Sequence, residues 1–95
     1  MSEMSLTEQI RRLEEMKSYL GDFCIEMQNV MEKLNGQIVF LRSQGFSIET
    51  EQSYRQGYYT PAKSDVERVI KDIHTRNIPY IEDVISDLDE AQHQE

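Results

Sequence analysis

The 95-residue chain has no tryptophan, a single cysteine and no long run of apolar residues. One cysteine excludes an internal disulfide framework and a metal site built from several cysteines. A membrane-spanning helix needs about 20 consecutive apolar residues, and the sequence contains no such stretch. Basic residues are also scarce, since ten Lys and Arg stand against eighteen Asp and Glu for a formal charge of -8. Nucleic acids and anionic membranes require a basic face, so we expect no nucleic-acid partner and no membrane insertion.

The first residues have neither the basic cluster nor the apolar segment of a secretory signal peptide. We therefore expect a cytoplasmic protein, or one exported without a cleaved signal peptide.

Signals for catalysis are weak. Glu90 and His93 have the Glu-x-x-His spacing of di-iron bundles, but those sites need a second copy and further glutamates. The sequence predicts no enzyme, and no catalytic, cofactor-binding or metal-ligating residue.

A seven-residue period dominates the first half of the chain. One set of positions is Leu6, Leu13, Leu20, Met27, Leu34 and Leu41, and the set between them is Ile10, Lys17, Cys24, Met31 and Ile38. The alternating intervals of four and three residues predict the a/d seam of a coiled coil. Met16, Phe23 and Val30 widen the stripe, which is typical of a helix that packs on more than one neighbour.

Residues typical of a helix end and a helix start near the middle of the chain predict a hairpin. Gly45 can supply the left-handed residue that ends a helix, and Ser47 can cap the next one. We predict an all-α, antiparallel two-helix hairpin with long coiled-coil-like arms, in one domain over 1–95. Its first arm covers about 5–43, its turn 44–46 and its second arm about 47–92. Because so small a hairpin buries little apolar surface, we expect it to dimerise.

Two features of the second arm refine this prediction. Thr60-Pro61 is typical of a helix start, whereas Pro79 predicts a kink because proline lacks a backbone N–H group.

With the turn near residue 45, Lys17 of the seam should lie level with Asp72. We expect either a Lys17–Asp72 ion pair that sets the register, or a Lys17 ammonium group extended to the edge of the seam.

Five aromatic residues fall within residues 40–59, around the predicted turn. Aromatic side chains offer a large contact area at low entropic cost, which suits a docking surface. They could equally form a local core that closes the hairpin, and some rings could face inward while others face outward. The candidate partner-binding residues are Leu20, Met27, Leu34, Gly36, Phe40, Phe46, Tyr54, Tyr58 and Tyr59.

Two long helices, a central glycine and no signal peptide make the chain similar in layout to the WXG (Trp-x-Gly) family. Leu34-Asn35-Gly36 could stand where the family has Trp-x-Gly; alternatively Gln44-Gly45-Phe46 is the turn, and no motif residue matches. The family's C-terminal Tyr-x-x-x-Asp/Glu signal is absent, since Val84 lies four residues after Tyr80. The resemblance implies a small helical hairpin, usually dimeric, that is exported by type VII secretion or escorts larger toxins.

The sequence thus predicts a non-enzymatic helical interaction module. Its role would be that of an adaptor or chaperone-like partner of a larger protein, which could itself be secreted. Its partners would be a second copy of the chain, another helical protein, or both. The alternative is a structural coiled-coil component in which the long first helix forms a parallel oligomer.

Overall fold

A computed structural model of the chain describes residues 3–94, and that part of the chain is helical with no strand. The fold is the predicted all-α hairpin. Its first arm is a single helix, α1 (Leu6–Ser43), and its second arm is helical from Ile48 to His93. The chain forms two compact units: a terminal unit (Met1–Phe23 with Lys71–Glu95) and a turn unit (Cys24–Ile70). No helix among the described residues is long and apolar enough to cross a membrane.

The heptad pattern of α1 is its inner face. Cys24, Met31 and Ile38 are buried. The residues of the other heptad set, which runs from Leu6 to Leu41, are half-buried, and Lys17 is as well. In the turn unit, Met31 and Ile38 pack with Tyr59 of the second arm. The period of 3.5 residues keeps one narrow stripe of a helix pointing at its neighbour, which is why the pattern in the sequence could locate this face.

The turn between the arms is a Schellman motif followed at once by a helix cap. Gly45 has a φ of 96°, a left-handed conformation that only glycine adopts without strain. The Phe46 N–H donates to the Leu41 carbonyl at 3.2 Å, and the Gly45 N–H donates to the Arg42 carbonyl at 3.2 Å. The Ser47 hydroxyl then accepts a hydrogen bond from the Thr50 N–H at 3.1 Å. These bonds satisfy backbone groups at two helix ends with only three residues between α1 and the cap.

The second arm is a continuous helical path that contains two π turns. The five segments are α2 (Ile48–Tyr54), a first π turn (Arg55–Tyr59), α3 (Thr60–Asp72), a second π turn (Ile73–Asn77) and α4 (Ile78–His93). The prediction of a helix start at Thr60-Pro61 is wrong. Thr60 has right-handed helical dihedral angles, and its N–H bonds to the Arg55 carbonyl, so the helix enters Thr60 from the preceding turn.

Each π turn ends two residues before a proline, Pro61 or Pro79. Proline has no N–H to give to the carbonyl four residues back, and a π turn bonds each N–H to the carbonyl five residues back. The Ile78 N–H accordingly donates to the Ile73 carbonyl. Ile81 lies eight residues after Ile73, a step that would overshoot the same face of a regular α-helix by about 80°. The wider second π turn reduces this overshoot, and Ile73 and Ile81 are both buried. A bend at Pro79 stays a prediction.

The predicted Lys17–Asp72 pair is wrong. Lys17 Nζ lies 3.6 Å from Glu14 Oε2 on its own helix, and Asp72 Oδ1 lies 3.6 Å from Arg76 Nε. Lys17 instead borders a shallow groove that Glu82 of α4 lines from the second arm. Levelling the two arms by counting residues from Gly45 assumed an equal rise everywhere, and the first π turn, which lies between Gly45 and Asp72, does not have the rise of an α-helix.

Candidate protein-binding surface in the turn unit

One buried cluster fixes the inner side of the turn unit. Met31 and Ile38 of α1 meet Tyr59 of the first π turn, and partly buried neighbours complete the cluster: Leu34, Ala62 and Val66. Tyr59 is therefore a core residue. The neighbouring Tyr58 points outward, since its side chain is 69% exposed. The aromatic cluster in the sequence is thus divided between a core and a surface, one of the outcomes that the sequence left open.

Four polar residues, Asn35, Arg42, Glu51 and Arg55, join the two arms beside this core, and we call them the clasp. Arg55 Nη1 donates to Asn35 Oδ1 at 2.7 Å, and Arg55 Nη2 lies 3.5 Å from Glu51 Oε1. Arg42 Nε lies 3.3 Å from the other Glu51 oxygen, Oε2. Because the Glu51 side chain is only 12% exposed, water screens these pairs less than it screens a surface ion pair. The clasp holds α1 against α2 and the first π turn.

Arg55 also orders the aromatic residue next to it. Its guanidinium carbon lies 5.2 Å from the centre of the Tyr59 ring, within the range of a cation–π contact. The clasp was not predicted from the sequence. Oppositely charged residues on the two sides of a short turn, Arg42 and Glu51, were the available signal.

Large apolar side chains remain exposed at the hairpin end of the turn unit. We call them the tip residues: Phe40, Phe46, Ile48, Tyr54 and Tyr58. The rings of Tyr54 and Tyr58 lie 5.4 Å apart with a tilt of 33° between their planes. The tip residues follow from local structure, because Phe46 belongs to the Schellman turn and Ile48 begins α2. Ile48 was not among the predicted binding residues.

The other predicted binding residues lie elsewhere. Leu20 and Met27 are half-buried on the inner stripe of α1, and Leu34 packs against the core cluster. Gly36 is exposed inside α1, and a Cβ atom built there would meet no atom within 4 Å. No close approach at Gly36 therefore requires a glycine. The structure places Leu34-Asn35-Gly36 within the helix and the turn at Gln44-Gly45-Phe46.

The polar chemistry of the described residues is that of surface helices. Residues 3–94 contain no group of three His, Cys, Asp or Glu side chains arranged to hold a metal ion. His93 Nδ1 lies 2.8 Å from the Asp89 carbonyl of its own helix. In the terminal unit, a hydrogen bond from Arg11 lowers the pKa of the half-buried Glu8 carboxyl. What the tip residues offer a ligand is apolar area and tyrosine hydroxyl groups.

No family model matches this chain, and no curated protein or solved structure is similar to it. The interpretation of the tip residues therefore depends on their own exposure, spacing and chemistry.

Proposed function

We propose that this protein is a non-enzymatic helical interaction module, an adaptor or chaperone-like partner of a larger protein, which it binds through the tip residues. The observation that carries the proposal is the exposure of aromatic side chains at a well-ordered hairpin end. Phe40 is 54% exposed and Tyr58 is 69% exposed. Covering the exposed part of each would remove about 100 Å² from water, a gross gain of about 2.5 kcal/mol per ring.

The surroundings of the tip residues favour binding because they are already ordered. The Schellman turn and the Ser47 cap hold Phe46 and Ile48 on a short connection. The clasp anchors the first π turn, from which Tyr58 projects. A surface that is ordered before binding loses less conformational entropy when a partner docks, so more of the gross gain appears as affinity.

Charge is divided unequally between the units, and this supports an apolar contact at the tip. The turn unit contains six Asp and Glu against five Lys and Arg, whereas the terminal unit contains twelve against five. A nearly neutral surface imposes little electrostatic selection on an apolar partner. The acidic terminal unit would favour a partner with basic residues and disfavour acidic ones.

The layout resemblance to the WXG family supports a secretion-linked form of this role, in which the module escorts a larger protein or is exported itself. Val84, and not Asp or Glu, stands four residues after Tyr80, and this departure from the family's pattern favours the escort. The inner stripe of α1 is occupied by the second arm in the turn unit. This arrangement favours the hairpin module over the parallel coiled-coil rod, because a rod would need the same stripe for neighbouring chains.

The experiment uses the tagged full-length chain in its own cells, with non-lytic fractionation and quantitative mass spectrometry of co-purifying proteins. The test variant combines Phe46→Ser with Tyr58→Ser. Tyr80→Ser is a matched control, since Tyr80 is also 69% exposed but lies on α4, in the terminal unit. We expect one stoichiometric larger partner that the double variant loses and the control retains.

Equal retention by both variants, or equal loss, would contradict binding through the tip residues. The fractions separate the forms of the proposal. Full-length protein in the medium would support export, and retention in the cytosol with a larger partner would support the adaptor. Recovery of copies of this chain alone would support the structural alternative.

A further inference from the structure

A second apolar stripe overlaps the edge of the inner stripe of α1 in the turn unit. It consists of Met27 and Leu34, which also belong to the inner stripe, and of Val30 between them, with intervals of three and four residues. Val30 is 54% exposed, and Met27 and Leu34 are half-buried, so each side chain leaves part of its surface uncovered. Such spacing is again that of an a/d seam, with Met27 and Leu34 at a positions and Val30 at a d position.

Two unpaired charges flank this stripe. In the heptad just given, Glu26 and Lys33 occupy successive g positions, and both are exposed. Neither has an opposite charge three or four residues away on α1, and neither makes an ion pair with any residue between 3 and 94. They lie seven residues apart, about 10.5 Å along the helix axis, which is too far for them to pair within one chain.

We infer that the stripe binds a second copy of this chain, with the two α1 helices antiparallel and Glu26 of each paired with Lys33 of the other. Under two-fold symmetry both ion pairs form at once, because an isologous interface repeats every contact. The same arrangement brings Met27 and Val30 of one chain onto Val30 and Met27 of its partner. The seven-residue separation that prevents Glu26 and Lys33 from pairing within one chain therefore allows each of them to pair with its counterpart in the other chain.

The charges also select the direction of the second helix. In a parallel pair, a g residue faces the e residue five positions further along the partner. Glu26 would then face Met31, and Lys33 would face Ile38. Met31 and Ile38 are buried in the hairpin core of their own chain, so they offer no countercharge and cannot reach the interface. Only the antiparallel direction satisfies both charges.

This interface goes beyond binding at the tip, since it uses other residues of the turn unit and a different occupant. Loss of the tip residues would leave Met27, Val30 and Leu34 in place. Conversely, a chain that failed to self-associate could still bind a partner through Tyr58. The two proposals therefore succeed or fail independently.

The test is a charge exchange followed by sedimentation equilibrium of the full chain at low ionic strength, where surface ion pairs are screened least. Glu26→Lys and Lys33→Glu should each weaken the dimer about tenfold, because each variant turns two attractive pairs into two repulsive ones. The double exchange restores opposite charges, so its dissociation constant should return to within about threefold of the parent value. Circular dichroism checks that each variant keeps its helicity.

A second pair of variants tests the stripe itself. Val30→Ser should weaken the dimer at least as much as either charge reversal, whereas Val39→Ser should leave it unchanged. The two valines are equally exposed at 54%, and Val39 lies on another face of α1. A monomer at every concentration would overturn the inference, as would a double exchange that fails to restore association or equal effects of the two valine changes.

Discussion

Ile38 is the residue whose truncation should most directly measure the core of the turn unit. It is 1% exposed, and it packs in one cluster with Met31 and Tyr59. Ile38→Ala removes three carbon atoms from this cluster, worth about 2.4 kcal/mol at about 0.8 kcal/mol each. The residual cavity adds to the loss, and the better helix propensity of alanine recovers roughly 0.4 kcal/mol. We expect a net loss of about 3 kcal/mol.

That loss would be a large share of the total. A 95-residue chain typically has a free energy of unfolding of roughly 5–14 kcal/mol, so the variant should unfold much more readily. The assay is urea unfolding followed by circular dichroism at one fixed protein concentration, since association would shift the midpoint. Val39→Ala is the matched control, because Val39 is the next residue of the same helix, is also β-branched and is exposed.

The control should change stability by no more than about 0.5 kcal/mol. The reasoning would be refuted if the two alanine variants lost equal stability, or if Ile38→Ala lost less than about 1 kcal/mol. Either result would mean that Ile38 does not lie in a closely packed core.

Two further predictions concern the turn and the start of α1. Gly45→Ala should destabilise the hairpin by about 1–2 kcal/mol because Gly45 has a positive φ. Gly36→Ala, inside α1, should stabilise the hairpin by up to about 1 kcal/mol. Thermal unfolding that gave the two changes the same sign would contradict this. The pKa of Glu8 should lie below its ordinary value because of the Arg11 hydrogen bond, so its stabilising contribution is present above the ordinary value and is lost as pH falls through the lowered one. In an NMR titration Arg11→Gln should raise that pKa, and an unchanged value would exclude the bond as its cause.

The predictability of the fold and that of the candidate surface differ for a physical reason. The seam of α1 and the hairpin depend on periodicity and on the local conformation of Gly45, which neighbouring residues largely determine. The membership of the exposed surface at the tip depended on which of two adjacent tyrosines turned inward. Tyr58 and Tyr59 are identical in type, and the first π turn together with Arg55 decides between them.

The sequence by itself determined the helical class, the inner stripe of α1 and the presence of the hairpin turn, because heptad spacing and a left-handed glycine act through local geometry. Only the tertiary structure decided the register of the arms and the partner of Lys17. It also decided the clasp, whose members lie up to 20 residues apart in sequence. The position of a residue along a helical arm depends on the summed rise of every preceding turn, and the first π turn alters that sum before the chain reaches Asp72. Long-range pairs therefore depend on the whole arm, whereas the stripe depends only on its own turns.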